Sequence, residues 1–427
     1  MKTSKWLLMF VVILAAVFTL AACNNEEASS EGNNEDVELT FWTFGATNYE
    51  ELVKAYEKEN PGVTVEIRTS ENADHHNSLF TALSAGTGAP DLAMVEIDQL
   101  DRFKEAEDRF VNLYDIGAEE IQSDFLDWKW QIGENNEGNF LFGLPTDIGP
   151  KVMFYRTDLF EEAGLPTDPD EVQDLIQSKE DLIQVGETIK EETGKPLVDS
   201  MEMVYRAVID GAEESFYDEE GNLLVEEDGN AVKEAYDLAV EFNEHGLVGA
   251  YEMWTPEWGD AVNSGDFAIE MGAAWLKGWM SDNAPEAEDK FRIAKLPEEL
   301  AGNWGGSYIT IPGETDYEEE AYKFAKWLTS PDNQLESFKS DAGLFPSTPE
   351  VYEREEFKEM EDDYFGGQKT SQYFADAATD ISFIYKGSKY TPTQDEVLNA
   401  LQNVYDGADP DKEWEEAVQR MKDVAAR

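Results

Sequence analysis

The sequence predicts an α/β protein of two lobes with the chain crossing between them. Three observations carry this. At 427 residues the chain exceeds the roughly 250–300 at which one hydrophobic core stops growing. Residues 37–95 read strand, helix, strand, helix, strand, the order of a parallel sheet with right-handed crossovers. Gly143–Phe160, GLPTDIGPKVMFYRTDLF, holds a short buried strand between backbone breaks and leads out of one core into another.

The chain opens with Lys2 and Lys5, then the uncharged apolar run Trp6–Leu20, then small residues before Cys23. This is the plan of an export signal over residues 1–22. Cys23 is the sole cysteine, so no internal disulfide is expected. Leu20-Ala21-Ala22-Cys23 resembles a bacterial lipobox. That implies a lipoprotein with a diacylglyceryl group and palmitate on Cys23, anchored at the extracellular face of the cytoplasmic membrane. Two acyl chains suffice for stable anchoring, where one is marginal. The alternative is an ordinary secretory peptide with an incidental Cys. Residues 23–36, polar and rich in Asn, Glu and Ser, read as a disordered tether. No later apolar run is long enough to span a bilayer.

Val37–Phe44 alternates, with Val37, Leu39, Phe41 and Thr43 on one face. Leu52, Val53 and Tyr56 mark a helix ended by Asn60-Pro61-Gly62. Val63, Val65 and Ile67 alternate in a second strand. Leu79, Phe80 and Leu83 mark a helix ended by Gly86 and Gly88, and Asp91–Val95 is a third strand. In open α/β sheets ligands sit beyond the carboxyl ends of strands. Phe44, Glu96 and Asp98 are therefore cleft candidates.

In the crossing stretch, Pro145 fixes its own φ and keeps Leu144 extended. Gly149-Pro150 is a second break, and Val152–Tyr155 is a β-favouring apolar run. Asp158 is positioned to cap a short helix that Gly164 and Pro166 end. Asp147, on the polar loop between the breaks, offers a carboxylate to the cleft.

Further on, Asp218–Gly229 reads as an acidic surface hairpin, its Gly221 too early for a calcium loop. Val232, Ala235, Tyr236, Ala239 and Val240 form an amphipathic helix. Thr255-Pro256 is an N-cap and first-position pair. Phe267–Met271 is a strand running into Gly272-Ala273-Ala274-Trp275. Gly305-Gly306 lets backbone approach a ligand that a side chain would block. Thr393 and Glu396 form a capping box before Val397, Leu401, Val404 and Tyr405. Asp409-Pro410 starts a last helix.

The chain has 93 acidic against 32 basic side chains, a net charge of −61. Loss of Lys2 and Lys5 with the export signal would make it more negative still. Such a surface repels nucleic acid and anionic lipid headgroups. Serine-hydrolase, zinc-protease, dinucleotide and Cys-x-x-Cys motifs are absent. Gly366-Gly367-Gln368-Lys369-Thr370 lacks the spacing of a phosphate loop. His75, His76 and His245 read as surface residues. Asp and Glu are so abundant that no carboxylate pair is informative, which leaves a glycoside hydrolase open as an alternative. What stands out is an aromatic set on loop-like segments: Phe44, Tyr205, Trp254, Trp258, Trp275, Trp279, Trp304, Phe345 and Tyr390. Trp275, Trp304 and Phe345 adjoin glycines or prolines at element ends, where the backbone turns out of the core. A sugar offers an apolar C–H face and hydroxyls that need acceptors, so aromatic platforms with a few carboxylates suit it.

Several of these segments carry a family resemblance, in one order from about Leu39 to about Lys422. They are LTFWTFG, LFTALSAGTGAPDLAMVE, LP-x-D-x-GP-x-x-x-FYR-x-DLF-x-x-AGLP, NSGDFAIEMGAAWLKGW, LPEELAGNWGGSYITIP and GLFPS. Together they resemble the extracellular solute-binding proteins, family 1, of bacterial ABC sugar importers, distant relatives of maltose-binding protein. The resemblance implies a two-lobed periplasmic-binding-protein-like fold of class II, each lobe a mainly parallel sheet flanked by helices. Lobe 1 would comprise residues 37–151 and 306–346, and lobe 2 residues 152–305 and 347–427. It implies a monomer without cofactor or metal that binds a carbohydrate, an oligosaccharide above all. The cleft would close on the sugar and deliver it, chemically unchanged, to the permease of an ABC transporter. It also implies that one cleft gathers Phe44, Asn77, Glu96, Asp98, Asp147, Tyr205, Trp254, Trp275, Trp304, Gly305, Gly306, Phe345 and Tyr390. The segment Met201–Tyr205 departs from the family pattern where ligand choice is often made. A non-sugar solute and a structural adhesin of the cell surface stay open beside the sugar.

Overall fold

The alternating pattern at the start of the chain builds strand β1 (Val37–Phe44), with Leu39, Phe41 and Thr43 buried. In the computed structural model, which describes residues 36–381, 383 and 385–427, β1 pairs in parallel with β2 (Val63–Ser70) along its whole length. On its other side it pairs in parallel with β3 (Leu92–Glu96). Two more strands extend this sheet: β4 (Gly143–Pro145) and, between β3 and β4, an antiparallel strand from late in the chain (Ser307–Thr310). The export signal, Cys23 and the tether up to residue 35 lie outside the described residues.

The sheet is covered on both faces, because alternate residues of β3 point opposite ways. Leu92 and Met94 join one apolar cluster with Leu39, Phe41, Tyr56 and Phe324. Ala93 and Val95 join the larger cluster that continues into the rest of the protein.

The chain leaves this sheet through β5 (Asp147–Ile148) and enters a second one as β6 (Val152–Arg156), all five of whose residues are buried. There β6 lies between β7 (Ile269–Gly272) and β8 (Phe291–Ala294), antiparallel to both. The expectation of a mainly parallel sheet in each lobe therefore holds for the first three strands and not here. Parallel neighbours arise from a strand–helix–strand crossover within one layer. β6 arrives directly from the other sheet, so nothing imposes that direction. Labelled in chain order, Ser307–Thr310 is β9 and Phe345–Pro346 is β10. β10 pairs antiparallel with β5, and a single bridge joins Pro150 to Asn303. Three crossings thus run side by side between the sheets.

Helix starts follow local chemistry where a capping side chain is free to turn back. The Thr255 hydroxyl accepts from the Trp258 amide at 3.2 Å, opening Pro256–Ser264. Asp409 accepts from the Lys412 amide at 3.0 Å, opening Pro410–Ala425. Two expected caps are displaced. The helix expected from Thr393 begins at Tyr390, and the Thr393 hydroxyl instead donates to the Lys389 carbonyl at 2.7 Å inside the first turn. Asp158 sits within Thr157–Glu162, paired with Arg156. Asp218–Gly229 makes a turn closed by one bridge, Tyr217 to Leu223. No helix among the described residues is long and apolar enough to cross a membrane.

Candidate functional site

The three crossings form the floor of the site. The Gly149 amide donates to Asn303 Oδ1 at 2.8 Å, Asn303 Nδ2 donates to the Gly305 carbonyl at 2.8 Å, and the Trp304 amide donates to the Gly149 carbonyl at 2.7 Å. This packing is so close that a Cβ on Gly149 would lie 1.7 Å from the Trp304 carbonyl oxygen. Gly305 and Gly306 have φ of +79° and +93°, a region L side chains rarely adopt. A Cβ on Gly306 would meet the Asp147 carbonyl oxygen at 2.6 Å.

One wall is a cage of five tryptophans. Trp275 and Trp279 stand one turn apart on the helix Trp275–Asn283 and so share a face. Trp304 lies 4.9 Å from Trp275, edge to face, and Trp258 lies 4.0 Å from Trp279. Trp254 meets all four, with ring centroids 5.2–6.0 Å away. Trp258 is fully buried and Trp304 nearly so, whereas Trp254 is 50% exposed. Trp254 also has φ +69°, and a bulky side chain in that region costs of order 1–3 kcal/mol. Its neighbour Thr255 must begin a helix while the ring stays on the cage, which holds the backbone there.

The opposite wall is polar and begins at the end of β3. A Cβ on Gly305 would lie 3.5 Å from Trp275 Nε1 and 4.0 Å from Glu96 Oε1. This brings Glu96 to the edge of the cage. The Glu96 amide donates to His76 Nε2 at 3.0 Å, so the His76 proton sits on Nδ1, which donates to the Asn72 carbonyl at 2.8 Å. Burial pushes His76 down to about 3 and keeps it neutral. Asn72 Nδ2 donates to Glu96 Oε2 at 3.3 Å. Burial, followed by the Asp98 charge, pushes the Glu96 carboxyl up to about 7, against the pull of Asn72, Arg206 and Lys386. The Arg206 guanidinium stacks 5.0 Å from the Trp304 ring and pairs with Glu202 at 2.8 Å. Burial alone would depress Arg206, but Glu202 and Asp210 raise it overall.

Of the residues expected in the cleft, Glu96, Trp254, Trp275, Trp304, Gly305 and Gly306 come together. Phe44 is half-buried nearby, 5.0 Å from His76. The others are placed elsewhere. Asp147 is buried, and its Oδ1 accepts from the Ser307 amide at 3.0 Å and from the Thr146 hydroxyl. Its carboxylate is used to hold two crossings together. Asp98 pairs with Lys386 at 3.0 Å, both largely buried, and the Gly387 amide donates to Asp101 at 2.7 Å. Tyr390 lies inside that contact with Lys386 Nζ 4.2 Å over its ring, and Tyr205 is fully buried beside it. Phe345 is a core residue against Phe338, Tyr352, Phe357 and Phe374. Asn77 is exposed on the outer face of its helix, next to Arg102. His75 and His76, expected on the surface, are both buried. β3 gives each ring a backbone partner, the Met94 carbonyl for His75 and the Glu96 amide for His76, and the Asn72 carbonyl of the same helix takes the second His76 nitrogen.

Sequence reasoning passed over Asn72, Glu202 and Arg206, which no motif marks. The i,i+4 spacing of Trp275 and Trp279 was a legible sign that both belong to one surface. Behind the cage, Glu270 Oε1 accepts from Trp258 Nε1 at 3.2 Å, and the Asp199 carboxyl is close enough to raise Glu270. Both carboxyls have 0% exposure, out of a ligand's reach. Among the described residues no group of three or more His, Cys, Asp or Glu is placed to hold a metal ion.

Comparison with known proteins agrees with this fold. Residues 51–364 match the family described as bacterial extracellular solute-binding protein. The chain is 27% identical over 374 residues to an arabinooligosaccharide-binding protein of Halalkalibacterium halodurans, covering 83% of this chain and 81% of that one. It is 26% identical to an arabinooligosaccharide-binding protein of Bacillus subtilis, covering 92% of each. A crystal structure of an extracellular solute-binding protein of family 1 superposes with a TM-score of 0.84 at 32% identity, over 91% of this chain and 100% of that one. A binding protein from B. animalis subsp. lactis, in complex with β-1,6-galactobiose, shares the fold with a TM-score of 0.75 at 21% identity, over 91% and 98%. With that family match over most of its length, the chain belongs to the bacterial extracellular solute-binding proteins.

Proposed function

We propose that this protein captures a carbohydrate, an oligosaccharide, outside the cell and delivers it unchanged to the membrane permease of an ABC importer. The observation that carries the reading is the tryptophan cage facing Glu96 across Gly305. Indole faces suit the C–H face of a sugar, and a carboxylate edge suits its hydroxyls. The similarity to two arabinooligosaccharide-binding proteins along most of their length supports an oligosaccharide of that kind. Short crossings with glycines at closest approach suit a hinge, so closing the lobes would bring Glu96 down on the caged ring. The lobes are residues 37–151 with 306–346, and 152–305 with 347–427. The protein works as a monomer without cofactor, and Cys23 carries the lipid that holds it at the membrane.

The test is a thermal-shift screen of mono- and oligosaccharides, arabinooligosaccharides included, followed by calorimetry. A ligand at 100 times its Kd adds about 2.7 kcal/mol to stability. Saturable binding without turnover supports the reading. No binding of any sugar overturns it. Product formation that survives repurification and is lost in Glu96→Gln installs a hydrolase instead. Release of Cys23→Ala from the membrane fraction supports the anchor, and unchanged fractionation removes it.

A further inference from the structure

A cavity of about 260 Å³ lies on the surface and is lined by Glu202, Tyr251, Glu252, Met253, Gln402 and Tyr405, among others. Two of these residues connect it to the cleft. Glu202 holds Arg206 at 2.8 Å, and Arg206 stacks on Trp304. Met253 directly precedes Trp254, the exposed member of the cage. The cavity is smaller than the roughly 300–1,000 Å³ of a complete small-molecule pocket, as an annex to a larger site should be.

Its aromatic wall is built rather than incidental. Gly249 lies under the Tyr251 ring so closely that a Cβ there would be 2.9 Å from Tyr251 Cδ2. The ring packs 5.8 Å from Phe267, and the Asp266 charge, which Lys195 holds at 2.6 Å, acts on its hydroxyl. The backbone is fixed too: the Gly249 amide donates to the Val198 carbonyl at 2.9 Å, and the Tyr251 amide to the Asp199 carbonyl at 3.3 Å. A tyrosine packed against Gly249 and Phe267 on a fixed backbone, yet only half-buried, is a preorganised platform. Around it stand side chains that accept from or donate to hydroxyls: Glu202, Glu252 and Gln402. The two carboxylates disfavour an anionic occupant.

We infer that this cavity is an outlying subsite that binds further units of a neutral glycan whose first units occupy the tryptophan cage. This rests on the carbohydrate reading above and adds that the ligand extends past Trp254 toward Tyr251 and Tyr405. Chain length is then read by this protein, with long oligomers held at two aromatic platforms and short ones at the cage alone.

The test is calorimetry with an arabinodisaccharide and an arabinohexasaccharide of the same linkage on the full chain. The hexasaccharide should bind about tenfold or more tighter, a gain of about 1.4 kcal/mol. Tyr251→Ala should remove that gain and leave disaccharide affinity within twofold. Because Tyr251 also packs on Phe267, the double variant Glu252→Ala/Gln402→Ala, at exposed positions, is measured beside it and should weaken only the hexasaccharide. Equal affinity of both sugars for the unmodified protein, or equal losses for both in the variants, overturns the subsite alone. Failure of both sugars to bind overturns the arabinooligosaccharide ligand and the subsite with it, and leaves the wider carbohydrate reading to the screen above.

Discussion

Trp275 donates its indole N–H to the backbone carbonyl of Trp304 at 3.0 Å. One bond thereby ties the first residue of the helix behind β7 to the point where the chain crosses back to the first sheet. The flat surface offered to a ligand and the hinge that would close over it are held in one frame. Any rearrangement of the return crossing also moves the cage.

The two roles of Trp275, platform and tether, separate by substitution. Trp275→Phe keeps a ring but loses the bond to Trp304, and should retain most of the affinity. Trp275→Ala loses both. An aromatic residue at a binding hot spot is worth about 2 kcal/mol, so affinity should drop roughly 30-fold. Ligand-free melting should change little, because Trp275 is only partly buried. A large drop in ligand-free stability with unchanged affinity would make Trp275 a core strut.

Trp254 tests whether backbone strain is retained for the site. At φ +69° glycine is at ease and alanine is not. Trp254→Gly should be more stable than Trp254→Ala by about 1 kcal/mol in urea unfolding. Both should bind sugar equally weakly, since both lack the ring. Equal stabilities would show that the backbone relaxes once the ring is gone.

The buried pair behind the cage predicts a pH dependence. Burial, opposed by Ser200 and reinforced by nearby charge, pushes Asp199 up to about 7. Burial and then Asp199 raise Glu270 well above its usual range. A carboxyl raised on folding binds its proton more tightly in the native state. Its stabilisation is complete below about pH 4, the unfolded value. It is lost progressively as pH rises and is gone above about 7 for Asp199. The slope is at most about 1.4 kcal/mol per pH unit per group. Glu270→Gln should flatten the decline of unfolding free energy between about pH 5 and 7, in which window the parent protein declines. A parent slope that survives the substitution would assign the effect to other groups.

The net charge of −61 predicts that salt stabilises the fold, because self-repulsion is screened. Melting temperature should rise from about 10 mM to 1 M NaCl as the Debye length falls from ~30 to ~3 Å. A flat or falling curve counts against it. Buried pairs such as Asp98–Lys386 are screened much less and should not offset the gain.

What the sequence determined by itself was whatever neighbours in the chain decide. The alternation of Val37–Phe44, the Thr255-Pro256 and Asp409-Pro410 helix starts, and the apolar crossing strand at Val152 were legible because period and capping are local. The glycine pair at 305 and 306 was legible as special backbone: both hold a positive φ that side chains rarely adopt, and Gly306 is also a close approach, to the Asp147 carbonyl. The tertiary structure alone decided the direction of β6, since strand pairing depends on where the chain comes from rather than on its composition. It also decided which aromatics face the cleft. Trp275 and Phe345 look alike in sequence, each beside small or turn-forming residues, yet one joins the cage and the other the core. The carboxylates divided in the same way. Glu96 reaches the cleft, Asp147 binds two crossings together, Asp98 pairs with Lys386, and Glu270 hides behind Trp258. With 93 acidic side chains the residue type carries no information, and only the low-dielectric surroundings and partners supplied by folding assign each its role.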